Sequence, residues 1–285
     1  KAGRQQGLGC TSRIVHPLNF KSVSVEKIAI IKIGGNIIDN EVHLASFLSA
    51  YATIQGKKIL IHGGGKLATK MAADLHIPQQ MVDGRRITDA ATLKIVTMVY
   101  AGYINKNIVA ALQSKKMHAL GICGADANIV RAHKRINANT DYGFVGDIDA
   151  VDTEKIVQLL EAGLSLVMAP ITHDGAGQLL NTNADTMAQA IATALSSKYE
   201  VSLVYSFERK GVLSDIHNSD SVIPEINPEN YASLKASGQV NEGMIPKLDN
   251  AFEALQKGVT RVIIGDALDI DQLIAGKSGT TIQKN

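Results

Sequence analysis

Lys32 stands near the end of Ile28-Ala29-Ile30-Ile31-Lys32-Ile33, a run that is otherwise apolar and stops at Gly34-Gly35. Such runs are usually strands buried on both faces of a parallel sheet. Lysine is almost never fully buried without a partner, because desolvating its ammonium is costly. At the carboxyl end of a strand it can instead face a ligand, since open α/β sheets bind there. The glycines that follow let backbone N–H groups approach an anion. One cation beside free amides suits a phosphate.

Four further segments carry possible chemistry. Ile61-His62-Gly63-Gly64-Gly65-Lys66 places three glycines between strand and helix signals. Their backbone entropy is expensive unless something must come close to the main chain. Gly63, Gly65 and Ala68 also fit the short dinucleotide fingerprint, with Asp83 about twenty residues on. The Walker loop fits worse, because Leu67 follows Lys66. His62 reads as a packed strand-end residue rather than a catalyst. In Asp83-Gly84-Arg85-Arg86-Ile87-Thr88-Asp89, Thr88 or Asp89 suits a helix N-cap. The two arginines are either a solvated turn or a carboxylate clamp. In Asn181-Thr182-Asn183-Ala184-Asp185-Thr186, capping accounts for one residue and not the rest. In Glu242-Gly243-Met244-Ile245-Pro246-Lys247, Pro246 suits a first helical turn. Lys247 opposes the helix dipole there unless it points away or an anion joins it.

The elements that must hold these residues alternate. Strand signals fall at 27–33, 58–62, 117–122, 164–169, 201–205 and 260–264. Helix signals fall at 41–55, 66–75, 89–114, 152–161, 185–197, 228–236 and 246–257. This predicts an α/β fold, an open αβα sandwich with a mainly parallel central sheet and helices on both faces. Short β-type runs near 128–131, 144–148 and 172–180 predict hairpins over one end. A lobe boundary is expected near 196–200, dividing 25–195 from 196–285.

Bulk properties exclude other classes. The 285 residues include 45% hydrophobic and 20% charged side chains, ordinary for an enzyme-sized globular chain. Residues 1–24 hold Lys1, Arg4, Arg13 and Lys21 without an acid, and read as a disordered extension or an added tail rather than a targeting segment. The remainder carries 25 basic and 27 acidic residues, which argues against nucleic acid as a partner. No apolar run reads as a membrane span. Cys10 and Cys123 are far apart and the histidines lack zinc spacing, so no protein-held metal is expected, and a reduced cytoplasmic setting is the default.

Taken together, Lys32-x-Gly-Gly, His62-Gly-Gly-Gly, Gly84-x-Arg86-x-Thr88, Asn181-x-Asn183-Ala-Asp185, Gly243-Met-x-x-Lys247 and Gly279-Thr-Thr-Ile resemble the amino acid kinase family from about residue 25 onward. The resemblance is strongest to members that phosphorylate an N-acyl-L-glutamate. It implies an N-terminal acyl-amino-acid lobe, a C-terminal ATP lobe, ATP with Mg2+, and a homodimer without arginine feedback. By resemblance, Lys32 stabilises the phosphoryl group in flight, Lys247 holds the β/γ bridge, and Asp185 orients both ammonium groups. Amides around Gly34, Gly35 and Gly64 hold phosphate oxygens. Gly64, Gly65, Arg86 and Asn181 bind the acyl-amino acid, with Arg86 on its α-carboxylate.

Some residues depart from the family pattern. Tyr205-Ser206-Phe207-Glu208-Arg209-Lys210-Gly211 lacks the usual aspartate, Lys66 stands where proline is common, and Arg85 replaces an apolar residue. The extra charge of Arg85 would suit N-succinyl-L-glutamate. Rival readings are a family member acting on carbamate, glutamate, aspartate or a nucleoside monophosphate, a dehydrogenase using the Gly63 loop, and a sensor that binds without turnover.

Overall fold

The computed structural model describes residues 25–82, 85–237, 239–240 and 244–284. The expectations for residues 1–24, Asp83, Gly84, Glu242, Gly243 and the Arg85 side chain lie outside what is described.

From the first strand, β1 (Lys27–Ile33), the chain passes through α1 (Gly35–Ile38) and α2 (Glu41–Thr53) to β2 (Lys57–His62) and α3 (Gly65–Asp74). A small hairpin, β3 (Met81–Val82) and β4 (Arg85–Arg86), leads to α4 (Ala90–Thr97), a π-helical segment Met98–Ile104, and α5 (Asn105–Ser114). Next come β5 (Ala119–Cys123), β6 (Val130–Lys134), β7 (Gly146–Val151), α6 (Thr153–Glu161), β8 (Ser165–Ala169), β9 (Ile171–His173), β10 (Leu179–Asn181) and α7 (Ala184–Leu195). The last part holds β11 (Glu200–Phe207), β12 (Glu225–Ile226), α8 (Pro228–Ala236), α9 (Ile245–Gln256), β13 (Arg261–Asp266), α10 (Ile270–Ile274) and β14 (Thr280–Gln283).

The central sheet runs β12-β14-β13-β11-β1-β2-β8-β5. All of its pairings are parallel except β13 with β14. A second sheet, β10-β9-β6-β7, gathers the expected hairpins. Chain positions 25–195 and 196–285 meet between β1 and β11, which pair from Lys27–Glu200 to Ile33–Ser206. Both halves therefore share one sheet.

Alternation along β1 decides what Lys32 faces. Ile28 and Ile30 join a core with Met187 and Ile191 of α7 and Leu248 and Leu255 of α9. Ala29, Ile31 and Ile33 pack on the opposite side, with Phe47 of α2 and Ile108 of α5. Side chains two apart in a strand share a face. Lys32 thus continues the Ile28–Ile30 face, towards α7 and α9. Each fully buried isoleucine contributes about 1.5–3 kcal/mol, so slipping this register by one residue is prohibitive.

One expectation needs correction, that of an uninterrupted α-helix over 89–114. The helical stretch Ala90–Ser114 is long and apolar enough to cross a membrane by length and composition. Val96, Val99, Ile104, Ile108 and Leu112 nevertheless pack into the core, so it behaves as a core helix. It is also not uniformly α-helical, because Met98–Ile104 widens into a π turn.

Candidate active site

Two cavities open at the carboxyl end of β1, one on the side of the β2 turn and the other on the side of β11. One is lined by Gly35, Gly63, Gly64, Gly65, Arg86 and Asn181, among others. The other is lined by Gln189, Tyr205, Phe207, Lys247 and Asn250, among others. Both share Lys32, Asn183 and Asp185.

At the shared wall, Lys32 Nζ lies 2.7 Å from Asp185 Oδ1. Asp185 owes its position to the start of α7. The Asn183 side chain caps that helix, accepting from the amides of Asp185 (2.8 Å) and Thr186 (3.0 Å). A carboxylate in the first turn also complements the helix dipole. Backbone contacts fix Lys32: Ser206 Oγ donates to its carbonyl (3.0 Å), and Gly34 N donates to the Ser206 carbonyl (3.2 Å).

Lys247 occupies the first turn of α9, which has Pro246 near its start and no side-chain N-cap bond. Its Nζ lies 4.8 Å from the Phe207 ring centroid. Among the described residues no carboxylate comes within ion-pair distance of Lys247. Asp185 therefore meets Lys32 here and not both ammonium groups.

Helices α1 and α3 begin at Gly35 and Gly65, again without side-chain caps. Uncapped N-termini leave amides free for an anion. Gly64 has φ +147°, and a Cβ there would lie 2.2 Å from Ile104 Cδ1 of the π segment. Glycine is required at that position by both conformation and space. Around Gly63 nothing lies within 4 Å of such a Cβ.

Arg86 is buried. Its Nη1 donates to Gln79 Oε1, and its Nη2 donates to the Gly65 carbonyl (2.9 Å) and Thr69 Oγ1 (2.8 Å). Those bonds anchor the guanidinium, and the Tyr100 hydroxyl interacts with it as well. Asn181 Nδ2 donates to Thr88 Oγ1 (3.0 Å), and Thr88 Oγ1 donates to the Arg86 carbonyl (3.1 Å). Burial pushes the Tyr100 hydroxyl pKa up, against the opposing charge of Arg86.

Residues 27–266 match the profile of the amino acid kinase family. The chain belongs to the amino acid kinase family. It is 56% identical over 251 residues to an acetylglutamate kinase of Cytophaga hutchinsonii, covering 88% of this chain and 95% of that protein. It is 52% identical over 259 residues to an acetylglutamate kinase of Bacteroides thetaiotaomicron, covering 91% and 99%. Among solved structures, it superposes on an N-acetylglutamate synthase from Neisseria gonorrhoeae with a TM-score of 0.75 at 21% identity, covering 91% of this chain and 60% of that one. Carbamate kinase from Giardia lamblia gives 0.65 at 13%, covering 92% and 99%. Those two likenesses bear on the fold alone.

Within this amino acid kinase one cavity residue, Arg135, escaped the sequence reading, and two departures from the family pattern, Phe207 and Lys66, find partners. Arg135 lines the Arg86 cavity, with Nε 3.0 Å from both Asp147 carboxylate oxygens. Its Lys-Arg setting at a strand end gives no signal beyond a solvated turn. Phe207 stands in the stretch that lacks the family aspartate, and it bears on Lys247 instead. Lys66, which replaces the common proline, donates to Asn36 Oδ1 across the two glycine turns.

Proposed function

We propose that this chain catalyses ATP-dependent phosphorylation of the side-chain carboxylate of N-acetyl-L-glutamate, a step of arginine biosynthesis. The observation that carries the reading is the meeting of two cavities at the Lys32–Asp185 pair. A phosphoryl donor in one and an acceptor in the other would have one point of contact. The choice of acceptor rests on relatives named acetylglutamate kinase. Their identity to this chain does not favour the succinyl or sensor readings.

The mechanism follows from charge. The acceptor carboxylate is already ionised near neutral pH, so no general base is needed. Its oxygen forms a bond to the γ-phosphorus, the bond from that phosphorus to the β/γ bridging oxygen breaks, and ADP leaves. Transfer of this kind is mostly positioning and charge stabilisation. Lys32 offsets the repulsion between carboxylate and triphosphate, and Asp185 keeps its ammonium at the junction. Lys247 takes the leaving charge from the α9 side. Amides at Gly35 and Gly64 receive phosphate oxygens, whereas the Gly34 amide is already engaged by the Ser206 carbonyl and does not. Gly64 and Gly65 also border the acyl-amino acid, Arg86 receives its α-carboxylate, and Asn181 contacts the same molecule. Residues 25–195 form the acyl-amino-acid lobe and residues 196–285 the ATP lobe.

Among the described residues no group of three or more His, Cys, Asp or Glu can hold a metal. Mg2+ would therefore have to arrive with the nucleotide, and Asp185 is the carboxylate lining both cavities that could help hold it. It would supply neutralisation of phosphate charge. By likeness to simple family members we also propose a cytoplasmic homodimer, which sedimentation tests. Hexamers would contradict it.

The test of function is ADP release across N-acetyl-L-glutamate, N-succinyl-L-glutamate, glutamate, aspartate and carbamate. The highest kcat/KM is expected for the acetyl compound. A higher value for any other acceptor would replace it.

A further inference from the structure

Behind the glycine turn a polar chain that the proposed transfer does not use runs from the exposed Lys106 to the buried Asn105 and His62. Lys106 Nζ donates to the Gly121 carbonyl (2.7 Å) and to Asn105 Oδ1 (3.1 Å). An ammonium can only donate, so it fixes which end of the Asn105 amide is oxygen. Asn105 Nδ2 then donates to the Val167 carbonyl (3.0 Å) and to His62 Nε2 (3.2 Å). His62 Nε2 must accept, so the ring proton sits on Nδ1. That Nδ1 lies 2.9 Å from the Gly63 carbonyl, which can only accept. His62 and Asn105 are fully buried. Gly121 makes room for the amide, since a Cβ there would lie 2.1 Å from Asn105 Oδ1.

We propose that His62 is a positioning residue: its Nδ1–H holds the Gly63 carbonyl and thereby orients the Gly64 and Gly65 amides at the cavity. The inference rests on the phosphoryl-transfer reading above. Three successive glycines have the greatest backbone freedom to lose, so their amides stay aimed only if the loop is held from outside. The same loop is held at its far end by Arg86 Nη2 on the Gly65 carbonyl (2.9 Å), and Gly64 is pressed against Ile104. His62 closes the remaining end. Burial drives its pKa down to about 4, against the pull of the Gly63 carbonyl, so the ring is neutral at working pH and its single proton is committed to Nδ1. A residue that merely filled space would not need a defined tautomer.

The experiment has two arms. Nitrogen-15 spectra of the intact protein are expected to show His62 as the neutral Nδ1–H tautomer from pH 5 to 8. An Nε2–H tautomer or a charged ring overturns the proposal. In the second arm, His62→Gln places no donor on the Gly63 carbonyl, whereas His62→Asn puts its amide nitrogen close to the former Nδ1. His62→Gln should lose about 100-fold in kcat, the scale of a small misplacement of reacting groups, with both KM values moving less than about threefold. His62→Asn should recover at least about tenfold of that loss. Equal losses in both variants, or a His62→Gln enzyme within about twofold of the parent, overturn the proposal. A parent without turnover removes the kinase reading itself. A parent that turns over with His62 protonated on Nε2 removes this proposal alone.

Discussion

Lys32 of β1 and Asp185 of α7 form an ion pair of 2.7 Å at the wall shared by two cavities. The pair is partly exposed, the lysine side chain 18% and the aspartate 43%, so its value for folding is small. Its value for turnover should be large, because charge develops where Lys32 sits. Lys32→Met is expected to lower kcat by about 10²–10³, or about 2.7–4 kcal/mol, by analogy with the loss of one oxyanion donor. Steady-state kinetics beside a melting curve check it. A Tm within a degree or two of the parent is expected.

The Arg86 fork can be tested by a substitution that keeps charge. Its Nη groups are engaged by Gln79, Gly65 and Thr69 on the inner side. Arg86→Lys retains one positive charge and loses the planar fork. KM for N-acetyl-L-glutamate should rise by about 10–100-fold while KM for ATP changes little, corresponding to the roughly 1.5–3 kcal/mol of charged hydrogen bonds. Varying each substrate in turn separates the two constants.

Gly63 and Gly64 should respond differently to alanine. Gly64→Ala would combine φ +147° with a Cβ 2.2 Å from Ile104 Cδ1. A loss of about 1–3 kcal/mol of stability is expected, from strain and overpacking. Gly63→Ala meets nothing within 4 Å and should keep the parent's stability in urea unfolding.

Stability should depend on pH through His62. Its folded pKa is lowered from 6.5 to about 4, so the unfolded chain binds the extra proton first as pH falls. The sign is therefore a contribution that is intact above pH 6.5 and lost progressively towards pH 4. The full loss is about 3 kcal/mol. His62→Asn should flatten the unfolding free energy across that window relative to the parent, as denaturant midpoints at each pH would show.

Much of this was legible in the sequence, and for identifiable reasons. Lys32 stood out because a cation interrupted an apolar strand before Gly34-Gly35, whereas the face it shares with Ile28 and Ile30 came only from the packing of the two cores. Strands β1, β2, β8, β11 and β13 announced themselves as apolar runs. Strand β14 did not, because Thr280-Thr281-Ile282-Gln283 offers one apolar side chain and takes its pairing from β13 and β12. The π segment was hidden because Val99 and Ile104 keep the helix apolar on its inner side whichever turn is used. Arg135 gave no signal, since only the fold of β6 against β7 brings it to the Arg86 cavity.

The central claim is that phosphoryl transfer to a carboxylate occurs where Lys32 meets Asp185. Trapping with hydroxylamine tests it most directly, because an acyl phosphate yields a hydroxamate. With ATP, Mg2+ and N-acetyl-L-glutamate, hydroxamate should form in step with ADP, and Lys32→Met should reduce both together. ADP release without hydroxamate, or hydroxamate formed equally well by Lys32→Met, would contradict the account.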